Sequence, residues 1–178
     1  LSERSSVFAS MEASDLWRML RAVQSPGNNR LLRAALATRT WCLAPQVLDG
    51  LFADEPAWDA VVEQFMAWQS VWRLQGFLPM LTRLLHDQGL AGRLLRNPAQ
   101  GERSLTNLLH VGELLQTASQ QLQGEGALIR YLEDQLRNPQ ISGEAAQLRL
   151  ESDANLVQVV TLHKSKGLEY PLVFLPFI

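Results

Sequence analysis

The chain has 178 residues, 47% of them apolar, which is enough to bury a sizeable core and excludes a disordered tail. Sixteen Lys and Arg against eighteen Asp and Glu give a net charge of −2, so no global field recruits nucleic acid or an anionic membrane, and any phosphate contact must be local. No apolar run approaches the roughly 20 residues of a membrane-spanning helix, and Cys42, the only cysteine, excludes an intrachain disulfide and a thiolate zinc site, so a soluble, cytoplasmic protein is expected.

Residues 1–8 suggest a short strand. Leu16, Met19, Leu20 and Val23 then recur at three-and-four spacing and predict a helix over 10–24. Ser25-Pro26-Gly27 stops it, because proline disfavours helix in the residue before it and has no N–H to donate. Asn29 is expected to cap the next helix, which carries Leu31, Leu32, Ala35 and Leu36. A third has Pro45 in its first turn and Val47, Leu48, Leu51 and Phe52 inside. The longest is predicted over 56–75, capped by Asp54 and ended by Gly76, with Trp58, Val61, Val62, Phe65, Trp68 and Trp72 along one broad face. Helices over 79–88, 104–123 and 127–137 follow, closed by Gly89, Gly124 and Asn138-Pro139. Aromatic residues at helical spacing can stack bases of single-stranded nucleic acid. With five tryptophans in a chain of this size, most must instead be core.

After Pro139 the character changes. A polar linker over 140–147 leads to the β-branched run Val157-Gln158-Val159-Val160-Thr161-Leu162, the turn His163-Lys164-Ser165-Lys166-Gly167, and a second apolar run over 172–177. Two strands joined by a basic, glycine-containing turn suggest the edge of an α/β domain. The fold class expected is therefore mainly α, a helical bundle-like body with a few short strands at the chain ends. The absence of an initiator Met and the apolar final run predict a segment of a longer protein.

Three histidines, one cysteine and scattered carboxylates form no recognisable catalytic cluster, and no metal site is expected. His86 and His110 read as structural, and Asp54-Glu55 as a helix cap rather than a Mg-binding pair. No Gly-Lys dipeptide occurs, which excludes the phosphate loop G-x-x-x-x-G-K-[ST]. Fourteen arginines accompany only two lysines, and both lysines flank Ser165. A strand end that offers a hydroxyl, an imidazole, two ammonium groups and a glycine suits a phosphate contact. A polar turn between buried strands fits the spacing equally well.

Residues 159–174 resemble motif V of the UvrD-like superfamily 1 helicases, T-x-H-x-x-K-G-L-E-[FY] followed by an apolar strand, with Tyr170 where relatives often carry Phe. Ser6-Val7-Phe8 through Glu12, and Asp15-Leu16-Trp17-Arg18-Met19-Leu20, are similar to the family's segment between motifs IV and V. The resemblance covers essentially the whole chain, although only its last thirty residues carry a sharp motif. It implies that residues 1–9 end a strand of a RecA-like motor lobe, that 10–147 form the helical 2B insertion subdomain, and that 148–178 return to the lobe with motif V. It further implies that His163 and Ser165 lie towards single-stranded DNA, and Gly167 and Glu169 towards the nucleotide, Glu169 accepting a hydrogen bond from the ribose. Thr161, Lys164 and Lys166 would support them. ATP and Mg are implied cofactors of the parent enzyme, with none expected on this segment alone.

Leu150-Glu151-Ser152-Asp153 and Leu175-Pro176-Phe177-Ile178 are similar to the branch of the family that couples the helicase to an exodeoxyribonuclease. This likeness implies unwinding and degradation of duplex DNA ends in recombinational repair, with DNA and two further subunits as partners and no membrane. The alternatives are the same region of an AddA-like or other UvrD-like helicase, and a helical protein-interaction or regulatory module.

Overall fold

A computed structural model describes residues 6–139 of the chain. Short polar side chains and glycines set most of the helix ends. Ser10 Oγ accepts from Ala13 N at 3.3 Å and starts α1 (Met11–Gln24). Asn28, rather than the expected Asn29, caps α2 (Asn29–Leu36), its Oδ1 accepting from Arg30 N at 3.1 Å and Leu31 N at 3.3 Å. Pro45 opens α3 (Pro45–Ala53), and Asp54 accepts from Ala57 N at 3.3 Å at the head of α4 (Glu55–Gln75). Gly76 ends α4 at φ +97°, a left-handed backbone that glycine adopts without penalty, and the chain turns directly into α5 (Phe77–Asp87). The remaining helices are α6 (Leu90–Leu95), α7 (Gly101–Ser119) and α8 (Glu125–Arg137). The mainly helical class expected from periodicity is observed, and the described residues contain no strand.

Three further differences from the expected elements are observed. Val7–Ala9 is a single 3-10 turn in place of the described part of the first strand. Ser6 Oγ accepts from Phe8 N at 3.2 Å, a local bond that competes with sheet pairing. Helix α6 was not anticipated, because six residues are too few to establish a period. It docks because Gly101, at the first turn of α7, sits where a Cβ would overlap the Leu94 carbonyl oxygen. Finally, α3 buries none of its residues: Val47 is 53% exposed, and Leu48, Leu51 and Phe52 are only half-buried. The strands expected over 157–162 and 172–177 lie outside the described residues.

Helix α1 is the axle of the body. Ala13, Asp15, Leu16, Met19, Leu20, Ala22 and Val23 are all buried, which is wider than one amphipathic stripe, and α1 touches α2, α4, α7 and α8. Beside it lies an aromatic cluster. Trp41 stacks on Phe65 with centroids 5.8 Å apart and planes at 12°, and Phe65 meets Trp68 edge-on at 5.0 Å. These aromatics are core, which removes the base-stacking platform. The first and last described elements also meet, because Phe8 packs edge-on against Tyr131 at 6.4 Å. The chain thus enters the helical body beside the helix from which it leaves.

Candidate functional site

The residues to which the sequence assigns function, Thr161, His163, Lys164, Ser165, Lys166, Gly167 and Glu169, lie outside the described residues. What the structure does describe is the helical body, with the polar groups that hold it in shape.

Asp15 is the first such hub. Buried on α1, its Oδ2 accepts from Thr40 N at 3.1 Å and Thr40 Oγ1 at 2.9 Å, and Oδ1 faces Arg18 Nη1 at 3.5 Å. From the other side, Arg93 Nη1 donates to the Trp41 carbonyl at 3.0 Å. The irregular segment between α2 and α3 is thus clasped from two helices far apart in sequence. Cys42 lies in this segment at φ +55° and donates its thiol to the Arg39 carbonyl at 3.2 Å. Burial pushes the Cys42 thiol above its ordinary value, so it stays protonated at neutral pH and is a weak nucleophile. Sequence reasoning missed the hub, but the signal was present: Asp15 shares the helical phase of Leu16, Met19 and Val23, where only a satisfied polar group can sit.

Asp87, at the end of α5, is the second hub. It accepts from Trp68 Nε1 at 3.0 Å, Gln64 Nε2 at 3.3 Å and Arg83 Nε at 3.2 Å, with His86 Nδ1 3.6 Å away. The Trp68 indole bond, with help from Arg83 and His86, holds its carboxyl below the usual carboxylate range. Because the folded-state pKa is depressed, the stabilisation is present above the unfolded value of about 3.9 and is lost as pH falls through the folded one. Wild-type chain and Asp87→Asn should therefore differ in melting temperature at pH 6 and converge as pH falls below the ordinary carboxylate range. A constant gap across that range would remove Asp87 from the acid response.

His86 is largely exposed and His110 is buried within α7. No group of three His, Cys, Asp or Glu among the described residues is placed to hold a metal, and no described helix is long and apolar enough to cross a membrane. A groove of about 430 Å³, with Trp72, Phe77 and Leu128 in its wall, is rimmed by the Arg73–Glu125 ion pair at 3.2 Å. The described polar groups brace the helical body.

Residues 66–178 match the family model described as the UvrD-like helicase C-terminal domain. The chain belongs to the UvrD-like helicase C-terminal domain family. The match begins within α4, runs through α8 and takes in every motif V residue named above. Over its whole length this UvrD-like chain is 48% identical to the RecBCD enzyme subunit RecB of Escherichia coli (strain K12) and 41% identical to that of Haemophilus influenzae. It is 33% identical, over 96% of its length, to the RecBCD enzyme subunit RecB of Mycobacterium tuberculosis. It spans about 15% of the length of these relatives.

Proposed function

We propose that this UvrD-like chain is the 2B insertion and the motif V return of the second motor lobe in a RecB-type subunit. The parent enzyme would be an ATP-dependent DNA helicase and exodeoxyribonuclease, exodeoxyribonuclease V, that unwinds and degrades duplex DNA ends in recombinational repair in the cytoplasm. The observation that carries this reading is the motif over 161–170 within a chain alike to RecB subunits from end to end. The geometry of the helical body supports it. A subdomain inserted into a host lobe needs its two ends side by side, and the contact of Phe8 with Tyr131 brings the incoming chain against the last helix.

In this reading His163 and Ser165 contact the single-stranded DNA backbone, where an imidazole and a hydroxyl can both donate to phosphate. Gly167 leaves room for the nucleotide, and Glu169 accepts from its ribose. Thr161, Lys164 and Lys166 shape the turn. Bound ATP and Mg would supply the phosphoryl chemistry, while this chain contributes a ribose acceptor. The phosphate loop and the Mg-binding acid must come from elsewhere in the parent protein, so the 178-residue chain alone is inert as an ATPase and as a nuclease. The RecC and RecD subunits and DNA are the partners of the parent enzyme.

In the full-length enzyme, Glu169→Ala should weaken ATP use and leave DNA-end binding intact. A neutral hydrogen bond is worth about 0.5–1.5 kcal/mol and one to a charged group about 1.5–3, so apparent ATP affinity should fall roughly tenfold. Unwinding rates measured against ATP concentration test this, and an unchanged ATP dependence would remove Glu169 from the nucleotide site.

A further inference from the structure

Among the described α-helices, α3 alone has no buried residue. Val47 is 53% exposed, and Leu48, Leu51 and Phe52 stop at half-burial against α4. The electrostatics of this corner are one-sided. From Thr40 to Trp72 the chain carries Asp49, Asp54, Glu55, Asp59 and Glu63 and no Lys, Arg or His. All five carboxylates are exposed, and no ion pair among the described residues engages any of them. Arg33 of α2 lies over the rings of Phe52 at 4.8 Å and Trp58 at 5.5 Å. Asp59 and Glu63 stand one turn apart on α4, and Met66, 48% exposed, extends their line.

We propose that α3 and the adjoining acidic stripe of α4 form a docking surface for a partner protein subunit, which presents apolar side chains bordered by Lys or Arg. An apolar centre with a charged rim is the anatomy of a protein–protein interface. The sign of this rim selects the partner. Phosphate backbones and anionic lipid headgroups would meet five like charges, whereas a cationic rim neutralises them and steers the encounter. The Arg33 guanidinium, placed over both Phe52 and Trp58, ties the α2–α3–α4 corner together, so the surface is formed before the partner arrives.

The proposal rests on the functional reading above only in taking the parent chain to work in a multisubunit enzyme. The test uses that parent chain with its RecC and RecD subunits. Amide exchange over residues 45–53 should slow about tenfold or more on assembly. The double variant Asp49→Lys with Asp59→Lys, both at exposed positions, should keep the melting temperature of the wild type and weaken assembly about tenfold at low salt, with the deficit narrowing as salt rises. Assembly with unchanged exchange in α3 would overturn the proposal alone. So would α3 already protected in the unassembled parent, or protected by duplex DNA instead of the subunits. Failure of the wild-type parent to assemble at all would overturn the functional reading and the docking proposal together.

Discussion

Trp68→Ala should destabilise the chain by about 3–5 kcal/mol, the range for emptying a buried large aromatic site. Trp68 is 1% exposed and touches the rings of Phe65 at 5.0 Å and Trp41 at 6.2 Å, so the vacated space is bounded by two rigid rings that cannot collapse into it. The loss also removes the indole donor to Asp87. Trp68→Phe separates the two contributions. It keeps most of the ring packing, drops the hydrogen bond at a cost of about 1–3 kcal/mol, and returns the Asp87 carboxyl towards its ordinary range. Urea denaturation followed by circular dichroism measures both variants. A midpoint unmoved by Trp68→Ala would show that the aromatic stripe of α4 is not core, and would reopen its use as a stacking face.

Asp15→Ala should rank next, at about 3 kcal/mol or more. Hydrogen bonds to a charged acceptor are worth about 1.5–3 kcal/mol each, and Asp15 accepts two from Thr40, itself 3% exposed. Without the carboxylate, the Thr40 N–H and hydroxyl lose their acceptor inside the protein. Arg18→Ala is the control. Its contact with Asp15 is long at 3.5 Å and its side chain is 42% exposed, so the loss should stay below about 1 kcal/mol. Thermal unfolding of the two variants decides the matter: equal losses would mean that the surface ion pair, not the Thr40 anchor, is what Asp15 contributes.

Helix positions were legible in the sequence wherever the chemistry of an end is local. Ser10, Pro45, Asp54, Gly76 and Gly124 each satisfy or release backbone groups within a few residues, and the helices begin or stop beside them. What the sequence hid is decided at long range. Trp41 looks like a loop residue, yet it is core because Asp15 and Arg93 fasten the segment around it from helices that periodicity cannot relate. Val47 and its neighbours look like a core face, yet they remain open because burial needs an opposing surface, and the described residues offer only α4 and one arginine. The candidate site was legible for a different reason. Residues 161–170 carry chemistry in a fixed order of residue types, and order survives in sequence without any knowledge of packing.

The central position of α1 also sets a timetable. Its buried face packs in part against α8, which follows about a hundred residues further along the chain. At a synthesis rate of about 5–20 residues per second, that interval is roughly 6–20 s. Through it, a nascent α1 has α2, and then α4 and α7 as they emerge, to shelter only part of its apolar surface. Among the described helices the first to be made is thus completed only by the last, and the helical body closes as a unit when α8 arrives, rather than growing outward from a finished N-terminal half.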